Sequence, residues 1–119
     1  LKVRFNDPRF RAQVVAGGFL GGLKQRDARG LKRWNSGDPS FDSTWDLRAA
    51  PQQPTGQVFD AAVRERIAAL LQAGKGSLYI GGSVIAYAEI GLISKESTRQ
   101  RFETAVALAA DLAETIENL

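Results

Sequence analysis

Between Ser77 and Ile90 the chain reads SLYIGGSVIAYAEI, two β-rich runs on either side of Gly81-Gly82. Paired glycines supply the positive φ angles of a tight turn, so this stretch predicts a β-hairpin. Its second run alternates Val84, Ala86, Ala88 and Ile90 against Ile85, Tyr87 and Glu89, which gives the strand two distinct faces. A lone hairpin is marginal in water and needs more strands or a covering helix. The flanking sequence supplies the helices. Upstream, Phe59, Val63, Ile67, Leu70 and Leu71 recur at helical spacing. They predict a helix over Val58 to Ala73, with Thr55 as its cap and Gly74 as its left-handed end. Downstream, Ser94 is expected to cap a helix running to about Asn118. Its apolar stripe is Phe102, Ala105, Val106, Ala109, Leu112, Ala113, Ile116 and Leu119. A helix with one apolar face must lay that face on another layer.

The first half supplies the rest of the sheet. Residues 10–16 and Leu31 to Trp34 have strand-like content. Phe41 to Arg48 alternates, predicting a strand with Phe41, Ser43, Trp45 and Leu47 inward and Asp42, Thr44, Asp46 and Arg48 towards water. Pro51, Pro54 and Gly56 mark a connecting loop. The expected order is β-β-β-α-β-β-α. That is an α+β fold, an antiparallel sheet of about four to five strands with two helices packed on one face. With 119 residues and 44% hydrophobic content, the chain suits a single domain spanning 1–119, in which residues 1–39 form a basic, glycine-rich N-terminal part of the sheet.

Cysteine, histidine and methionine are all absent. No disulfide, thiolate or imidazole metal site can form, and the commonest general base and the most reactive nucleophile are missing. No catalytic, cofactor-binding or metal-binding residue is assigned, and a non-enzyme is the expectation. Ala73-Gly74-Lys75-Gly76-Ser77 looks like a phosphate loop, but position 69 is alanine where that motif needs glycine. The stretch also leaves a helix C-terminus instead of entering an N-terminus, so a cap and turn explain it better. Gly17-Gly18 and Gly21-Gly22, in VVAGGFLGGLK, miss the nucleotide-binding spacings as well.

Asp38, Asp42 and Asp46 offer hard oxygens every four residues. On a strand, Asp42 and Asp46 would stand about 13 Å apart, too far to share one ion. Asp38, before Pro39, fits a turn. Glu89 is the one carboxylate set among many apolar residues, with Tyr79 and Tyr87 nearby. A pocket with a raised carboxyl pKa would give it a ligand-binding or hydrolytic role. Its place on an alternating strand predicts solvent exposure instead.

Charge is unevenly spread. Residues 1–33 carry nine Lys or Arg against Asp7 and Asp27, a net +7, whereas residues 34–119 carry −4. Phe19, Leu20, Lys24, Arg26, Arg29, Lys32, Arg33 and Trp34 therefore form the candidate interaction surface. Cations beside aromatic residues suit an acidic protein, an anionic membrane surface or, less well, nucleic acid, since only Trp34 could stack a base. A homo-oligomer is also compatible with such a surface. No apolar run approaches the roughly 20 residues a membrane span requires.

From Ser40 onward the segments SFDSTWDL, VFDAAVRERIAALL, SLYIGGSVIAYAEIG and ALAADLAETI resemble a class of uncharacterised bacterial domains often found after membrane-spanning segments. In that class a Phe-Asp-x-x-aromatic strand precedes a helix, a hairpin and an alanine- and leucine-rich final helix. The resemblance implies the same fold and a cytoplasmic domain tethered through a segment preceding Leu1. It brings no catalytic residues. The resulting expectation is a non-catalytic interaction domain that associates with a protein partner or an anionic membrane. Nucleic-acid binding through the same patch is the first alternative, and a small ligand-binding or hydrolytic domain using Glu89 is the second.

Overall fold

The computed structural model describes residues 2–4, 10–16, 30–74, 76–81, 84–89 and 96–119. Among them, the strands are β1 (Lys2–Arg4), β2 (Arg11–Ala16), β3 (Lys32–Arg33), β4 (Trp45–Ala50), β5 (Ser77–Gly81) and β6 (Val84–Ala88). The helices are α1 (Pro39–Thr44), α2 (Thr55–Val58), α3 (Ala61–Gly74) and α4 (Glu96–Glu117). All strand pairs are antiparallel, in the order β1-β6-β5-β2-β4-β3. The fold is α+β. The sheet has six strands where about four to five were expected, because Lys2–Arg4 pairs with β6. Three residues are too few to carry a readable alternation.

The hairpin forms, with Gly81 opposite Val84. The residues joining them, and Ser94, lie outside the described residues. In β2, Ala12 and Val14 sit opposite Ile80 and Leu78 on one side and Ala49 and Leu47 on the other. These side chains share one sheet face with Ile85 and Tyr87, and all are buried. Helices α3 and α4 cover that face with Ile67, Leu70, Leu71, Leu108, Leu112 and Ile116, completing one hydrophobic cluster. Along α4 the buried stripe takes in Leu108, whereas Val106 and Leu119 are 45% and 46% exposed, contrary to expectation. The inward row is set by positions 105, 108, 109, 112, 113 and 116, and residue 106 falls off it.

Two elements differ from the sequence reading. First, Pro39–Thr44 is a helix, not the start of a strand. Asp38 caps it, its carboxylate accepting the Ser40 amide at 3.0 Å, and Pro39 occupies the first turn. Phe41 and Trp45 are both buried, as expected. A spacing of four, however, keeps two residues on one face in a helix and in a strand alike, so the pattern could not discriminate between them. Asp46, expected in water, is only 7% exposed and pairs with Arg48, which a strand alternation read from sequence cannot show.

Second, the helix expected over 58–73 is broken at Phe59, whose φ of −105° and ψ of 63° leave the helical region. Asp60 restarts it by accepting the Val63 amide at 2.9 Å. Phe59 is thereby turned fully into the core, its ring centroid 6.3 Å from that of Phe10. Thr55 begins α2 instead of capping it, and its hydroxyl donates to the Pro51 carbonyl at 3.1 Å. Gly74 is the last residue of α3, not a residue beyond its end.

Candidate functional site

Five of the eight candidate surface residues, Phe19, Leu20, Lys24, Arg26 and Arg29, lie outside the described residues. The other three separate into two roles. Lys32 and Arg33 are exposed on β3, an edge strand among the described residues. Trp34 is half-buried and packs against the core, close to Gly56. It therefore supports the scaffold and does not act as a free stacking platform.

β3 is fixed to β4 by the Trp34 amide, which donates to the Leu47 carbonyl at 2.8 Å. The Gln52 side chain also donates to the Lys32 carbonyl at 2.9 Å. In an antiparallel ladder alternate residues bond the same neighbour, so Arg33 between them presents its backbone N–H and C=O away from β4. Its guanidinium donates to the Asp42 carbonyl at 2.6 Å. Asp42 in turn accepts the Ser36 amide at 3.0 Å, the Ser36 hydroxyl at 2.9 Å and the Gly37 amide at 3.2 Å. Burial raises the Asp42 pKa, but these donors and the nearby Arg33 charge outweigh it and hold the carboxyl below its usual range. Gly37 takes φ +88°, which the turn requires and an L side chain would resist. Asp42 thus ties the edge strand to α1.

The three aspartates considered together in the sequence go to separate tasks. Asp38 caps α1, Asp42 orders the turn before it, and Asp46 pairs with Arg48 at 3.3 Å.

Glu89 is not exposed: its side chain retains 2% of its accessible surface. Arg101 on α4 grips it from two nitrogens, Nε to Oε2 at 3.0 Å and Nη2 to Oε1 at 3.1 Å. The Tyr87 hydroxyl donates to the same carboxylate, and Arg101 Nη2 also donates to the buried Thr98 hydroxyl at 3.1 Å. The Arg101 hydrogen bonds hold the Glu89 carboxyl below the usual glutamate range against the opposing effect of burial. Burial and the adjacent carboxylate push the Tyr87 phenol well above its ordinary value. A saturated, ionised carboxylate is the opposite of the raised-pKa acid a hydrolytic reading needs. The network joins strand to helix. Its partner was legible in principle, since Thr98, Arg101 and Ala105 follow one helical line, and a cation on a buried stripe demands a carboxylate.

Tyr87 also explains the phosphate-loop lookalike. A Cβ on Gly76 would stand 2.7 Å from the Ala88 carbonyl and 2.8 Å from the Tyr87 ring. The Gly76 amide donates back to the Leu71 carbonyl at 3.1 Å, closing the end of α3. Gly76 is required by close backbone approach. Gly76→Ala is expected to destabilise the domain by about 1–3 kcal/mol, as overpacking does. A chemical-denaturation midpoint equal to that of the parent would contradict this account.

Two cavities lined by described residues bear on the candidate site. One, of about 420 Å³, lies between α1 and α3 beside Phe41, Trp45 and Arg64. The other, of about 260 Å³, opens on the face of β5, β2 and β6 opposite α3 and α4, beside Arg11, Gln13, Leu31, Tyr79, Val84 and Ala86. Gln13 is 1% exposed there, and its Nε2 finds no hydrogen-bond partner among the described residues. Sequence reading passed over Gln13, because one amide within RAQVVA gives no chemical signal until its neighbours are known.

Comparison with protein-family models, curated proteins and solved structures finds no match to this chain.

Proposed function

We propose that this chain is a non-catalytic interaction domain that engages an acidic partner protein along the β3 edge. The observation that supports this reading best is the pairing of exposed Lys32 and Arg33 with an outward-facing backbone at Arg33. An extended acidic segment could add to that edge, the main chain giving affinity and the two cations selecting for carboxylates. The charge excess of the first 33 residues strengthens attraction to such a partner. Glu89, which carried the hydrolytic alternative, is committed to Arg101 and Tyr87. No helix of the described residues is long and apolar enough to cross a membrane. In the tethered arrangement implied by the resemblance, the domain would sit on the cytoplasmic side of a segment elsewhere in a longer protein.

The test uses a fluorescein-labelled peptide alternating Glu and Val, compared with vesicles of anionic or neutral lipid and with single-stranded DNA. Peptide binding is expected to weaken as salt rises and to fall at least tenfold in Lys32→Glu/Arg33→Glu. Binding of anionic vesicles or DNA without the peptide would replace this reading with the corresponding alternative. Peptide binding unchanged by the double substitution would remove the β3 edge from it.

A further inference from the structure

We infer that the cavity on the sheet face opposite α3 and α4 is a binding site for a small carboxylic acid with a compact apolar body. This inference is independent of the β3 edge and rests on three coincident features. The first is an unanswered donor. Gln13 lies on the central strand β2, between Ala12 and Val14, whose side chains enter the core, so its own side chain rises from the opposite face. It is 1% exposed, and Nε2 has no acceptor among the described residues. A buried amide donor normally finds a partner, and an unpaired one is costly to retain. An acceptor oxygen in the adjacent cavity would satisfy it.

The second feature is a positive charge on the same wall. Arg11 is two residues before Gln13 on the same face of β2. Its side chain runs past Gly81 towards Gly30, where a Cβ would stand 3.0 Å from Nη2. Gly30 has φ +81°, a backbone conformation that favours glycine. A guanidinium has five N–H donors and can add a carboxylate oxygen to the contacts it already makes. A carboxylate is the ligand group that answers both an amide donor and a guanidinium.

The third feature is the remaining wall. Leu31, Val84 and Ala86 are apolar, and Tyr79 sits directly across from Gln13 in the β2–β5 register. At roughly 30 Å³ per water-sized group, about 260 Å³ holds about nine such groups. That matches a carboxylate on one small ring or a short branched chain.

The experiment is a titration of the ¹⁵N-labelled chain with benzoate and with isovalerate, read by ¹H–¹⁵N spectra. Benzamide and toluene serve as controls that lack the charge and the acceptor, respectively. At least one acid is expected to cause saturable shifts in the Gln13 side-chain NH₂ pair and in the Tyr79 and Ala86 amides. Benzamide should bind at least tenfold more weakly, and toluene should leave the NH₂ pair unmoved. Gln13→Leu should weaken acid binding at least tenfold while preserving spectral dispersion. Ala86→Leu, which fills the cavity and leaves Gln13 in place, should also abolish binding, so the inference does not hang on one variant. Failure of both acids to produce a saturable shift would overturn it. Undiminished binding in both variants would do the same, as would a resident water on the Gln13 NH₂ pair that neither acid displaces.

Discussion

Glu89→Ala is expected to lower stability by about 3 kcal/mol, the lower end of the range for breaking a buried ion pair. The carboxylate accepts both arms of the bidentate Arg101 contact, and it also receives the Tyr87 hydroxyl. Its removal takes the shared acceptor from the buried Tyr87 and from the Arg101 guanidinium at the point where β6 meets α4. The cost stays at the lower end because the Arg101 side chain keeps 24% of its surface in water and can turn outwards. Changing Arg101 instead leaves Glu89 with no comparable escape, and the carboxyl pKa should rise.

The same pair sets a pH dependence. A carboxyl whose native pKa is depressed binds fewer protons in the folded chain than in the unfolded one. Its stabilisation is therefore complete above the unfolded glutamate value near 4.3 and is lost as pH falls through the lower native value. Thermal melts of the parent and Glu89→Gln should differ most near neutrality and converge below about pH 4. A gap that stays constant from pH 7 to pH 3 would contradict this assignment.

Phe59→Ala should have the largest effect of any single truncation discussed, about 3–5 kcal/mol, as for large buried aromatics elsewhere. Phe59 is fully buried and sits where α2 ends, tilted at 38° against Phe10. Its carbonyl also receives the Arg64 guanidinium at 2.8 Å, so the kink and the core contact reinforce each other. A domain of this size is typically stable by about 5–15 kcal/mol, so the variant should lose a large share of that margin. Its melting temperature should fall by roughly 12–20 °C. A fall of only a few degrees would mean that the ring is not central to the core.

Much of the fold is legible in the residues. The hairpin and the apolar row of α4 follow from periodicities of 2.0 and 3.6, which burial on one face imposes directly, and β2 from strand-like content alone. Phe41, Trp45 and Leu47 were correctly placed inward even where the element type was not, because the hydrophobic requirement survives the ambiguity of a four-residue spacing. The break at Phe59 is not legible in the periodicity because Phe59 keeps its place in the apolar row whether or not the helix restarts at Asp60.

The chemistry divides differently. Composition alone removed thiolate and imidazole chemistry, and the uneven charge drew attention to Lys32 and Arg33 before any fold was known. Those are properties of residue identity, which no folding can alter. Only the tertiary structure decided that Glu89 is a buried strut, that Gly76 is a steric necessity and that Gln13 is a donor without an acceptor. Each of these depends on a neighbour distant in sequence: Arg101 for Glu89, Tyr87 for Gly76, and the β2–β5–β6 cavity wall for Gln13. Periodicity states which face a side chain takes, whereas desolvation and pairing depend on what the fold brings against that face.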